Sequence, residues 1–245
     1  MNDLTNELRP EAATEASVKP KKRATKRATV RFGRPPKELA GEVDERVLDA
    51  ARKTFLARGF EGASIDEIAE AARSGKQTIY ARFRSKRELF TAVVLRDVAS
   101  KMAQAGSAVP GGATIEERLV SAGTFLLHTT LENERMGLMR LAIAEAHRFP
   151  DLASTVSRTA FQLSTDVAAK MLGEMTQSDE LGTLAAFAPE RLATTARIFL
   201  NLVVVPMLLR ALFETDVEVL RGEIGPHVAR NVAFFLAACR NGGVT

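Results

Sequence analysis

Ser64-Ile65-Asp66-Glu67-Ile68-Ala69-Glu70-Ala71-Ala72-Arg73-Ser74-Gly75-Lys76-Gln77-Thr78-Ile79-Tyr80-Ala81-Arg82-Phe83 is the stretch on which the fold turns. Ser64 precedes a helical run and Glu67 follows it at capping-box spacing, so a helix starts there. Ile65, Ile68, Ala69 and Ala72 share its inner face at helical period. Arg73, Ser74 and Gly75 break it. A second short helix, Lys76 to Phe83, then turns Ile79 and Phe83 inward. Two short helices joined by so brief a turn make a helix-turn-helix, whose second helix enters the DNA major groove.

The flanks support this. Upstream, Glu45 to Arg58 reads as a helix with Val47, Leu48, Ala51, Phe55 and Leu56 on one face. Gly59 ends it, and Phe60 folds back on its last turn. Downstream, Ser85 and Glu88 repeat the capping spacing and open a fourth helix reaching about Met102. The outward residues of the second motif helix are Lys76, Gln77, Thr78, Tyr80, Ala81 and Arg82. Lys76 and Gln77 carry donors suited to purine edges. Thr78, Tyr80 and Arg82 suit phosphate oxygens.

The stretches Gly59 to Ala69 and Thr78-Ile79-Tyr80-Ala81-Arg82-Phe83-Arg84-Ser85-Lys86-Arg87-Glu88-Leu89-Phe90 resemble the head of the TetR family. The likeness extends over about residues 45 to 92 with the family's spacing. It implies that Thr78 and Tyr80 contact phosphate, that Lys86 at a helix N-terminus does so too, and that Lys76 and Gln77 face bases. The turn departs from the family pattern, which has Gly, an apolar residue and Ser where this chain has Arg73, Ser74 and Gly75. Arg at a turn position that wants positive φ is unfavourable, and Ser74 or Gly75 is left to cap the next helix.

Charge is unevenly spread. Nine Lys or Arg and no acid lie between Lys19 and Lys37, although the whole chain is only +4. A basic arm on an acidic body points to a polyanion reached by the arm. Gly33-Arg34-Pro35 within it resembles an AT-hook core, which would lay Arg34 in a narrow A·T minor groove. The alternatives are a phosphate tether and a solubilising tail.

Beyond Gly111 and Gly112 the helices lengthen: Ile115 to Leu131, Glu134 to Phe149, Pro150 to Met175, a loop over 176–188, Pro189 to Phe213, and Val217 to Cys239. Pro206 is expected to kink or break its helix locally. Phe199, Leu202, Val203, Leu208 and Leu212, with Leu220, Ile224, Val228, Val232 and Phe235, recur at helical spacing on the last two. One chain has little surface to cover them, and the resemblance implies a four-helix bundle between two subunits. Leu141 to Pro150 resembles a C-terminal body type of the same family. The resemblance also places an effector pocket among the body helices. Phe125, His128, Met136, Met139, Arg140, Phe161 and Gln162, with Glu145, offer apolar walls and a few polar groups, although such residues also serve as plain core.

The expected architecture is therefore all-α. A basic, disordered arm (1–41) leads to a three-helix helix-turn-helix domain (42–98) and a helical effector-binding and dimerisation domain (99–245). The expected partners are a near-palindromic double-stranded DNA operator, a second copy of the chain, and a small apolar or amphipathic effector, with no cofactor or metal. A repressor released by its effector is the leading function. An architectural DNA-binding protein without effector is the alternative. Three scattered His, no Gly-x-Ser-x-Gly and no phosphate-binding glycine loop count against an enzyme. Cys239 is the lone cysteine, Met1 to Val18 lacks the apolar core of a signal peptide, and the run Ile198 to Leu209 is short for a membrane span, so a cytoplasmic location is expected.

Overall fold

The computed structural model describes residues 37–176, 184–214 and 217–242. The arm, with Arg34, lies outside the described residues. Ten α-helices and a short 3-10 turn at Ala185–Phe187 make up the fold, with no strand among the described residues. They are α1 (Lys37–Gly62), α2 (Ile65–Ala71), α3 (Lys76–Arg82), α4 (Lys86–Ser107), α5 (Ile115–Thr130), α6 (Asn133–Ala144), α7 (Pro150–Thr176), α8 (Leu192–Val203), α9 (Val205–Phe213) and α10 (Val217–Arg240).

α1 starts earlier than its apolar period suggests, and its regular part ends at Gly59, where φ is 72° and ψ 176°. Only glycine adopts that backbone readily. The reversal drops Phe60 into an aromatic cluster: its ring centroid lies 6.0 Å from Phe55, 5.3 Å from Phe90 and 5.2 Å from Phe149. Phe55 and Phe90, fully buried, meet edge-on at 5.0 Å.

That cluster is not the head's alone. Leu138 and Ala142 of α6 and Leu152 of α7 belong to the same core as Ile68, Ile79 and Leu89. α6 approaches α1 closely at Gly137, where an added Cβ would stand 2.8 Å from Leu56 Cδ2. Charges reinforce the joint. Arg96 of α4 donates to Glu45 (2.8 Å) and Asp49 (2.7 Å) of α1. Arg52 of α1 pairs with Asp97 of α4 at 3.4 Å and with Glu134 of α6. α4 itself runs unbroken across the expected boundary at 98–99.

α6 stops at Ala144 instead of reaching Phe149. Pro150 opens α7 and disfavours helical backbone in the residue before it. The turns that follow carry Phe149 to Phe60. The helix running to Phe213 divides at Val204, with Pro206 in the first turn of α9, a local break of the kind expected at that proline. Taken together, 192–213 is 22 residues with mean hydropathy 1.9, long and apolar enough to cross a bilayer, contrary to the shorter run counted from sequence. Here it is two helices that give Ala196, Phe199, Val203, Met207 and Ala211 to the body core.

Phe199, Val203, Leu220, Ile224, Val228, Val232 and Phe235 are all buried within this one chain. For these seven the chain itself supplies the cover, since α5 and α8 pack on α10, whereas Leu202, Leu208 and Leu212 of the same expected set are only partly buried. A different set stays exposed, with Leu209 and Phe213 on α9 and Val219 and Phe234 on α10.

Candidate nucleic-acid interface and effector cavity

Ser64 Oγ accepts the Glu67 amide at 3.1 Å and starts α2. The reciprocal half of the expected capping box is diverted, since Glu67 Oε1 takes Arg58 Nε at 3.4 Å. At the head of α4 the Ser85 hydroxyl likewise accepts from Glu88, while the Glu88 carboxylate accepts the Arg84 amide at 2.8 Å.

The atypical turn is built as its chemistry requires. Arg73 takes a left-handed φ of 48°, the only positive φ of a non-glycine among the described residues. Its amide donates to Glu70 O at 3.0 Å and the Ser74 amide to Ala69 O at 2.9 Å. Gly75 is the N-cap of α3, its carbonyl accepting from Thr78 at 2.9 Å and Ile79 at 3.2 Å. The register of α3, left open by the sequence, is therefore Lys76–Arg82.

Ile79 pins α3 to the head core with 1% of its surface exposed. Lys76, Gln77, Thr78, Ala81 and Arg82 stand on the exposed side, and Tyr80 keeps 51% of its surface accessible. Two of the cations have intramolecular partners that a phosphate or base would have to displace. Lys76 Nζ lies 2.5 Å from Asp66 Oδ1, and Arg82 Nε 3.3 Å from Asp44 Oδ1. These are exposed pairs, each worth about 0–1 kcal/mol, so the displacement is cheap.

Lys86, expected to meet phosphate, also has intramolecular partners. Its ammonium donates to the carbonyls of Glu61 (3.2 Å) and Ala63 (3.0 Å) and sits 4.7 Å above the Phe60 ring. It ties the start of α4 to the α1–α2 connection.

The body holds a cavity of about 340 Å³, walled by α4 to α9 and predominantly apolar. Of the seven effector-site candidates, Phe125, Met139 and Phe161 line it. The others do not. Met136 is core, 1% exposed, and His128 is exposed to solvent. Arg140 donates to the carbonyls of Ala211 (2.6 Å), Leu212 (3.2 Å) and Glu214 (2.6 Å), closing the end of α9. Gln162 bonds Asp166 at 2.8 Å on the exposed side of α7. Glu145, also named from sequence, pairs with Arg148 at 3.4 Å.

Sequence reasoning missed the cavity's polar groups. Asp97, Lys101, Arg135 and Thr165 all face it. Lys101 is pushed down to about 8, first by desolvation, then by the charge of Arg135, against the opposing pull of Asp97 and Glu132. The Thr165 hydroxyl is buried with no hydrogen-bond partner. The only sequence signal was Asp97 four residues before Lys101, a spacing indistinguishable from an ordinary surface pair. No group of three or more His, Cys, Asp or Glu capable of holding a metal occurs among the described residues.

Residues 47–93 match the model of bacterial regulatory proteins of the tetR family. Residues 117–241 match the C-terminal domain of AefR-like transcriptional repressors. Among curated relatives, the HTH-type transcriptional regulator UidR of Escherichia coli is 27% identical over 129 residues, 51% of this chain and 63% of UidR. The chain thus spans just under two thirds of that relative's length. A regulator structure from Mesorhizobium loti superposes with TM-score 0.69 over 81% of this chain and 97% of its own, at 24% identity, a likeness of fold. The flavonoid-responsive regulator FrrA gives 0.58 over 81% and 97%, at 29% identity. With a head model followed by a body model that alone spans half its length, the chain belongs to the tetR family of bacterial regulatory proteins.

Proposed function

We propose that this protein is a sequence-specific, DNA-binding transcription regulator, a repressor that a small molecule releases from its operator. The observation that carries the proposal is α3: a helix pinned by Ile79, with Lys76, Gln77, Thr78, Tyr80 and Arg82 left on the outside. Gln77 and Lys76 read base edges, and Thr78, Tyr80 and Arg82 hold phosphates. One such helix covers only a half-site, so two copies are needed about 34 Å apart. The exposed Leu209, Phe213, Val219 and Phe234 supply an apolar face for pairing through α9 and α10. Arg34 and its basic neighbours add a minor-groove or phosphate contact. The location is the cytoplasm, where the unpaired, buried Cys239 fits a reducing milieu.

Release follows from α4, which carries the Ser85 cap beside α3 at one end and Asp97, Lys101 and Met102 of the cavity wall further along. A ligand that prefers one position of α4 shifts the spacing of the two heads by its differential affinity, and about 1–3 kcal/mol gives a 5–150-fold change in DNA binding. The AefR-like body favours repression as the sign of regulation. The test is selection of bound sequences from random DNA with the full chain and with residues 1–36 removed. A near-palindromic consensus supports the regulator, and A·T-rich flanks lost with the arm support Arg34. Sequence-independent binding favours an architectural protein instead.

A further inference from the structure

We infer that the effector cavity takes an amphipathic monoanion, its acid group meeting Lys101 and its apolar part extending towards Phe125, Met139 and Phe161. The inference rests on the proposed effector role of the cavity and names the chemistry of its ligand. The first observation is the balance of partners at the polar end. Asp97 pairs with Arg52 at 3.4 Å and Arg135 at 3.6 Å, Glu132 pairs with Arg135 at 2.7 Å, and Glu134 pairs with Arg52. These three carboxylates share the two guanidiniums in direct pairs, and none of them pairs directly with Lys101. Lys101, by contrast, has no hydrogen bond or ion pair among the described residues, although it faces the cavity. Asp97 and Glu132 favour its charge only through space, without a direct bond, so this half-buried cation is costly to hold, and an incoming anion in contact with it relieves that cost.

The second observation is Thr165 on α7. Its hydroxyl lines the same cavity, is buried, and lacks a partner. A buried polar atom left unpaired is rare, and a ligand acceptor or donor would satisfy it. The rest of the wall is mostly apolar, with Arg197, Asn201 and three hydroxyl side chains also on it, which selects a hydrocarbon or aromatic body, and about 340 Å³ lies at the lower end for a drug-sized ligand. A cationic amphiphile would meet Lys101 and Arg135 with like charge. A neutral one would leave Lys101 as it is.

The experiment uses the full chain with octanoate, decanoate and dodecanoate, and with the alcohols and primary amines of the same lengths, all below their micelle concentrations. Calorimetry at pH 7 gives affinity, and release of labelled operator, selected from random DNA, gives the functional readout. The acids are expected to bind at least about tenfold tighter than the alcohols, the amines weakest, and the acids to release DNA. Lys101→Met is expected to abolish most of the acid-to-alcohol ratio, and Lys101→Arg to restore it. Alcohols equal to acids, or amines ahead of both, overturn the anionic ligand while leaving the effector reading in place if they release DNA. An unchanged ratio in Lys101→Met overturns the role of Lys101. Binding of any series without an effect on DNA overturns the effector reading itself.

Discussion

Lys101→Met should make the ligand-free protein more stable at neutral pH, an unusual direction for a single substitution. Burial and Arg135 bring the Lys101 pKa from 10.5 down to about 8 in the folded protein. In the unfolded chain the ammonium is free of that penalty. Each pKa unit corresponds to about 1.4 kcal/mol, so the full displacement sets an upper bound of about 3.5 kcal/mol. Lys101 is only half-buried and water reaches part of it, which trims the effect to about 1–2 kcal/mol. The sign is fixed by proton counting. Below about pH 8 both states are protonated and the penalty is fully present. Between about 8 and 10.5 the unfolded state binds more protons, so stability rises with pH, and above 10.5 the penalty is gone. Methionine matches the length of lysine without the charge. Its advantage should therefore appear as a Tm gain of roughly 2–8 °C at pH 7 and shrink towards zero by about pH 10. Thermal melts of both proteins across that range at fixed protein concentration measure it. A variant less stable than the parent at pH 7, or a difference indifferent to pH, would refute the claim that Lys101 is an uncompensated cation.

Other perturbations address the head and the pairing face. Gly59→Ala should cost about 1–3 kcal/mol, because alanine is strained at φ 72° and ψ 176° although nothing lies within 4 Å of the new methyl; chemical denaturation reads it, and a neutral result would mean the chain reverses differently. Lys86→Met should lower Tm while leaving the salt dependence of DNA binding unchanged, because its ammonium is held by the Glu61 and Ala63 carbonyls. A slope reduced by about 0.9 would instead make Lys86 a phosphate contact. Removing Thr78 or Arg82 by alanine substitution should reduce affinity for all sequences alike, whereas Gln77→Ala should relax preference at one base pair by about 1–3 kcal/mol. Phe234→Glu, placing charge on a side chain 64% exposed, should leave the fold intact but shift the protein to monomer in sedimentation and weaken operator binding. A dimer of parental strength would move the pairing face elsewhere.

Much of this protein was settled by local chemistry. Ser64 and Ser85 start their helices because a hydroxyl one turn from a free amide caps it wherever it occurs, and Gly59 stops α1 because only glycine tolerates that backbone. Ile79 at the centre of a seven-residue helix dictated which side of α3 turns outward. These are relations across three or four residues, and the sequence determines them alone. Contacts between distant segments were decided elsewhere. Phe60 meets Phe149 only because the chain turns between the end of α6 at Ala144 and the start of α7 at Pro150, and the Lys101 charge is disfavoured only because packing buries it and α6 brings Arg135 to the same corner. Most of the apolar residues of α8 and α10, read from periodicity as surplus, are covered by α5 and by the packing of α8 on α10, since a helix pattern shows that a face must be buried but not against what. The effector candidates chosen by residue type divided for the same reason: burial, and the direction each side chain takes into a shared void, are properties of packing in three dimensions, which no spacing along one helix encodes.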